Sequence, residues 1–118
     1  MQTSEKPSDA APPAVVRVEL NQTGGFAGVD EVYTVDSGVA DQRRDQLFDM
    51  VAGQQFRTLN QTYSVPNKCR DQFFYRVTVT YSDSTTKEVS TDDCSQSPQL
   101  LTDVRTLIRQ IGVHHNGR

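Results

Sequence analysis

Nine residues, Phe73-Phe74-Tyr75-Arg76-Val77-Thr78-Val79-Thr80-Tyr81, alternate in character without a break. Phe73, Tyr75, Val77, Val79 and Tyr81 share one parity; Phe74, Arg76, Thr78 and Thr80 share the other. Successive side chains of a strand point to opposite faces, whereas a helix would scatter this pattern around its circumference. The stretch is therefore a strand with one apolar side, and it demands a partner strand and a covering layer. Ser82-Asp83-Ser84 follows as turn chemistry, and Thr85 to Thr91 is long enough to return beside it with Val89 inward.

A second hairpin precedes this one. Val16, Val18 and Leu20 form one face of its first strand and Arg17 and Glu19 the other, with Val15 interrupting the alternation at the start. Val29 to Val35 reads as its return strand: Val29, Tyr33 and Val35 point one way, Glu31 being an exception among them, and Asp30, Val32 and Thr34 point the other. Between the two strands lies Gly24-Gly25-Phe26-Ala27-Gly28, three glycines in five positions around one aromatic. A helical pattern follows each hairpin. The first runs from about Ala40 to Ala52 with Leu47, Phe48 and Val51 as a narrow apolar face and Gly53 as its stop. In the long connection Gln54 to Arg70, Phe56 and Leu59 are expected to fold over the core edge. The second helix has Ser97 as cap, Pro98 at its first position, and a broad apolar stripe of Leu100, Leu101, Val104, Leu107, Ile108 and Ile111.

The order β-β-α-β-β-α predicts an α+β fold of two layers, a four-stranded, mostly antiparallel sheet with two helices on one face. A chain of 118 residues has room for one such domain, here residues 15–112. Met1 to Ala14, rich in Ser, Pro and Ala, reads as a disordered tail, and residues 113–118 as a frayed C-terminus.

Charge and motif content narrow the function. The net charge is −3, and the basic clusters Arg43-Arg44 and Lys68 with Arg70 make no stripe for phosphates, so neither nucleic acid nor a membrane is expected as partner. Met1 to Ala14 has no apolar core of a secretory signal, which predicts a cytoplasmic chain, with co-export beside a target as the other route. His114 and His115 are adjacent and would diverge on any regular element, so no metal site is expected. Asp30-Glu31 and Asp92-Asp93 are acidic pairs without a partner base, and no catalytic residue or cofactor is expected. Binding, not catalysis, is the favoured class.

Cys69 and Cys94 would each lie just outside a strand of the same hairpin. A bridge between them is geometrically available and would close a loop of about 25 residues, adding about 3 kcal/mol. A reducing compartment would leave both as thiols, and that state is the expectation here.

The glycine loop is no P-loop, because no Gly-Lys-Ser/Thr follows, and no dinucleotide fingerprint, because a strand comes next. Either it presents backbone groups to a partner with Phe26 as anchor, or the glycines only turn the chain and Phe26 tucks into the core.

Taken together, strand-Gly24-Gly25-Phe26-Ala27-Gly28-strand, a helix ending near Val51, then Phe56 and Leu59 form one set of features. Asp71-x-Phe73-x-Tyr75-x-Val77-x-Val79 and a last helix opening with Pro98 and Leu100-Leu101 complete it. This arrangement resembles the emfourin family, small bacterial protein inhibitors of thermolysin-like metallopeptidases of the protealysin type, over roughly Val15 to Ile111. Cys69, Cys94 and the polar insert Asn60 to Arg70 look atypical of it. The resemblance implies reversible occlusion of a peptidase cleft by a monomer that brings no metal of its own. On physical grounds the partner-binding residues are Gly24, Gly25, Phe26, Ala27, Gly28 and Val29, with Ser82, Asp83, Ser84 and Thr85 as a second loop. The two loops act jointly if both hairpins point to the same sheet end. The alternative is a non-inhibitory interaction domain that pairs through an exposed sheet edge or loop.

Overall fold

A computed structural model describes residues 13–116. Most of the tail expected at Met1 to Ala14, namely residues 1–12, lies outside the described residues. The chain runs β1 (Val15–Gly24), β2 (Val29–Asp36), α1 (Arg43–Ala52), α2 (Gln54–Arg57), β3 (Phe73–Tyr81), β4 (Thr86–Asp92), α3 (Gln99–Ile111) and β5 (Val113–Asn116).

The α+β class and the antiparallel sheet stand as expected, but the sheet has five strands, not four, in the order β4-β3-β1-β2-β5. Every neighbouring pair is antiparallel. The fifth strand comes from the stretch expected to fray. Gly112 brings the chain off α3 so close to β2 that a Cβ there would lie 2.5 Å from the Ile108 carbonyl and 3.3 Å from the Tyr33 side chain. From that point Val113–Asn116 has an unpaired strand beside it, and pairs Thr34↔Val113 through Glu31↔Asn116. Tyr33 and His114 meet across this pair with ring centroids 4.8 Å apart.

β1 is the middle strand of the five, with Leu20 opposite Tyr33 of β2 on one side and opposite Val77 of β3 on the other. An inward row crosses the sheet from Val89 through Val77 and Leu20 to Tyr33. The nine-residue alternation holds as read: Tyr75, Val77, Val79 and Tyr81 are buried, while Phe74 is exposed. In β1 the expected inward set fails at one position. Val16 is exposed, and Val15 packs on the core instead. The register shifts between Val15, opposite Tyr81, and Arg17, opposite Thr80, so Val16 is the extra residue of a β-bulge and points outward.

Over the inward face lie Leu47 and Val51 of α1, Phe56 of α2, and Leu101, Val104 and Ile108 of α3, all fully buried. Phe56 does cover the core edge, but from a short second helix within what reads as connection, where Arg57 Nε donates to the Ala52 carbonyl and its guanidinium lies 4.1 Å from the Tyr81 ring centroid. Tyr81 buries its ring and donates its hydroxyl proton to the Val51 carbonyl at 2.8 Å. Two helix starts differ from expectation. α1 begins at Arg43 because the Asp41 carboxylate accepts the Arg43 N–H at 2.9 Å and its guanidinium as well. α3 begins at Gln99, with Pro98 outside it at ψ 147° and its carbonyl accepting from Leu101 N–H; Ser97 does not cap it.

The face away from the helices is polar. It carries the Arg76–Glu88 pair at 3.3 Å and an Asn21 to Asp30 hydrogen bond at 3.2 Å. The outer edge of β4 is covered locally, where Ser90 N–H donates to the Gln61 carbonyl and Tyr63 N–H to the Ser90 carbonyl. No helix among the described residues is long and apolar enough to cross a membrane.

Candidate functional site

β1 and β2 stay paired to Gly24↔Val29, leaving a four-residue connection. Its turn closes by a hydrogen bond from Gly28 N–H to the Gly25 carbonyl at 3.2 Å. Gly24, Gly25 and Gly28 all have positive φ, at 99°, 76° and 64°. Two of these glycines serve a second purpose. A Cβ on Gly24 would lie 2.6 Å from the Gln72 carbonyl oxygen, and one on Gly25 would lie 2.6 Å from Phe73 Cε1. Gly25 N–H donates to that same Gln72 carbonyl at 3.0 Å. The turn is thus seated on the first residues of β3, and only glycine fits the seat.

Phe26 stands at the tip with 92% of its surface exposed. The alternative in which it tucks into the core is excluded; Phe73 is the aromatic that packs there. An aromatic held in water at the tip of an anchored turn is the most exposed large apolar group among the described residues.

The second expected loop lies elsewhere. Ser82 N–H donates to the Ala14 carbonyl at 2.8 Å, and Ala14 N–H to Ser82 Oγ at 3.0 Å, so Ser82, Asp83, Ser84 and Thr85 belong to the end where β1 begins. Val15 opposes Tyr81 at that end and Gly24 opposes Phe73 at the other. The two hairpin turns are therefore about 30 Å apart at ~3.3 Å per residue, and they do not share a surface. Asp83 ties its own turn through Thr85 N–H at 3.1 Å, and bonding to Thr85 holds the Asp83 carboxyl below its ordinary pKa.

At the end of the sheet where this turn sits, the structure joins two stretches that flank the β3–β4 hairpin. One is residues 65–72, which lead into β3; the other is residues 93–98, which leave β4. Cys69 and Cys94 join them in a disulfide with a Cα–Cα distance of 6.5 Å, so the expected free thiols are absent. The signal was available: residues flanking β3 and β4 on that side must meet once the hairpin forms. Asp93 clamps the start of β3, accepting from Phe73 N–H at 3.0 Å and from the Tyr75 hydroxyl at 2.7 Å. Burial, followed by the bond to Asp93, raises the Tyr75 pKa and keeps that hydroxyl a proton donor. Asp92 is buried, which alone would raise its pKa, yet donors from Ser64, Cys94 and Ser95 outweigh burial and hold it low.

His114 and His115 fall in β5 on opposite parities, opposite Tyr33 and Val32, and His114 Nε2 lies 3.4 Å from Glu31 Oε2. Among the described residues no three or more His, Cys, Asp and Glu side chains converge as a metal site would need. Of the acidic pairs, Asp30 accepts from Asn21, and Asp92 accepts from Cys94 N–H and Ser95 Oγ.

No curated protein and no solved structure matches the chain. A family model described as Emfourin matches residues 20–110, a span that begins within β1 and ends one residue before the close of α3, and so takes in both hairpins, the presented turn and the covering helices. The chain belongs to the Emfourin family.

Proposed function

We propose that this protein is an inhibitor of thermolysin-like metallopeptidases that docks Phe26 and the Gly24–Val29 turn into the enzyme's cleft. The observation that carries the reading is the contrast at the turn: Phe26 is 92% exposed while Gly25 beside it is hydrogen-bonded to the Gln72 carbonyl and seated against the Phe73 ring. Such a turn loses little conformational freedom on binding, so more of the burial energy of the aromatic survives as affinity. Burying a phenylalanine side chain contributes about 1.5–3 kcal/mol. Membership of an inhibitor-type family supports the same reading; on this reading the zinc and the chemistry belong to the target.

The Cys69–Cys94 bond supports action in an oxidising compartment, where an exported peptidase would be met. Titration of such a peptidase with the purified protein, followed by residual peptide cleavage, is the direct test. A stoichiometric break is expected, and Phe26→Ala should weaken inhibition at least tenfold, about 1.4 kcal/mol. Wild-type affinity in that variant would remove the turn from the interface.

A second reading, association through a sheet edge, is favoured by β5, a four-residue strand at the outside of the sheet. Sedimentation separates the two: the inhibitor reading expects a monomer at all concentrations, and edge pairing expects concentration-dependent dimers.

A further inference from the structure

The strap of residues 65–72 holds no helix or strand, and Val65 to Asp71 are exposed throughout. Its last residue nevertheless supplies the carbonyl on which the docking turn rests, through Gly25 N–H. From that carbonyl a continuous set of bonds leads back to the disulfide. Gln72 Nε2 donates to Asn67 Oδ1 at 3.2 Å, and Cys69 N–H donates to the same oxygen at 3.0 Å. Cys69 is bonded to Cys94, whose N–H donates at 2.9 Å to Asp92, a carboxylate that is 4% exposed and forms the fixed end of the chain of contacts. A parallel tie runs from Val65 N–H to Ser95 Oγ at 3.1 Å, and from Ser95 Oγ–H to Asp92 Oδ2 at 3.1 Å.

We propose that the Cys69–Cys94 disulfide positions the peptidase-docking turn, so that the oxidised protein presents Phe26 on a fixed seat and the reduced protein does not. The proposal rests on the docking role given to Phe26 above. Without the bond, the strap keeps only exposed hydrogen bonds, each worth about 1 kcal/mol net. The sheet has its own support, since β3 stays paired with β1 and β4; Asp93, which holds Phe73 N–H and with it the peptide plane of the Gln72 carbonyl, directly precedes Cys94 and loosens with it. Loss of the bond therefore loosens Gln72 and the turn while the core persists. Both cysteines are exposed and open to a soluble reductant. A dithiol passes two electrons and two protons to the bond, leaving one S–H on each cysteine, and is itself oxidised to a disulfide.

The test is amide hydrogen exchange on the full chain, oxidised and after dithiol treatment, alongside a Cys69→Ser/Cys94→Ser variant, with inhibition measured on the same samples. Exchange at Gly25 should accelerate at least tenfold, with Leu20 and Val77 unchanged, and reoxidation should restore the wild-type protein. The inhibition constant should weaken at least tenfold in parallel. If the serine pair fails to fold, a Cys69→Ala/Cys94→Val pair and the reduced wild type supply the comparison. Unchanged Gly25 exchange in a folded, bond-free protein would overturn the proposal, and so would global unfolding of every bond-free form. If oxidised wild-type protein inhibits no peptidase, the docking role falls, whereas the exchange result still decides whether the bond holds the turn.

Discussion

Replacing Gly25 by alanine puts the seat of the turn under direct load. Two separate costs arise. At φ 76° an L-residue with a Cβ sits in the left-handed region, at about 1–2 kcal/mol. The new Cβ also meets Phe73 Cε1 and Cζ at 2.6 and 2.7 Å, which forces the ring or the turn to move. Overpacking of this kind costs about 1–3 kcal/mol, giving about 2–5 kcal/mol in all. Gly28→Ala is the internal control, because it shares the positive φ of 64° but has no atom within 4 Å of its Cβ. It should cost about 1–2 kcal/mol. Urea denaturation with a common slope measures both variants, and the difference between them isolates the contact with Phe73. A Phe73→Ala background should bring the two costs together, because the ring is then gone. Equal destabilisation of Gly25→Ala and Gly28→Ala in the wild-type background would refute the seating of the turn on β3.

Two further outcomes test the core and the loop that braces the site. Phe56→Ala removes the fully buried cap that α2 places on the core, and should cost about 3–5 kcal/mol in the same denaturation assay. A loss under 1 kcal/mol would mean that α2 is dispensable. For Asp92, burial raises the carboxyl pKa but the donors from Ser64, Cys94 and Ser95 more than reverse it, so the folded value lies below the unfolded one. The stability this adds is present above the unfolded pKa of about 3.9 and is lost as pH falls through the lower folded value. Asp92→Asn should therefore flatten the acid limb of a stability–pH profile, and an acid limb identical to wild type would refute the assignment. Asp41, held at about 2 mainly by its bond to Arg43, is unchanged in both proteins and cancels in the comparison.

The residues that were legible one by one are those whose environment is set by their own strand or helix. Tyr75, Val77, Val79 and Tyr81 are buried because alternate residues of one strand must share a face. Leu101, Val104 and Ile108 are buried because their spacing places them on one side of a helix. Val16 broke that rule because a single bulged residue reverses the parity of everything before it, and nothing in Val15-Val16-Arg17 marks which residue is extra. The glycine turn was legible as a turn. Its orientation was not, since an aromatic among glycines can turn inward or outward, and only the seating of the turn on Gln72 and Phe73 leaves Phe26 in water.

By itself the sequence determined two hairpins, two covering helices, an apolar face for each, and a connection that could close only with glycine. These follow from periodicity and backbone sterics, which act over a few residues. Tertiary structure alone decided that β1 lies between β2 and β3, and hence that the two hairpin turns point to opposite ends. It also drew Val113–Asn116 into the sheet as a fifth strand and set the Gly25–Gly28 turn against Gln72 and Phe73. Each of these depends on which strand edges meet after the chain has folded back. That choice is made by long-range pairing and burial, and no local pattern encodes it.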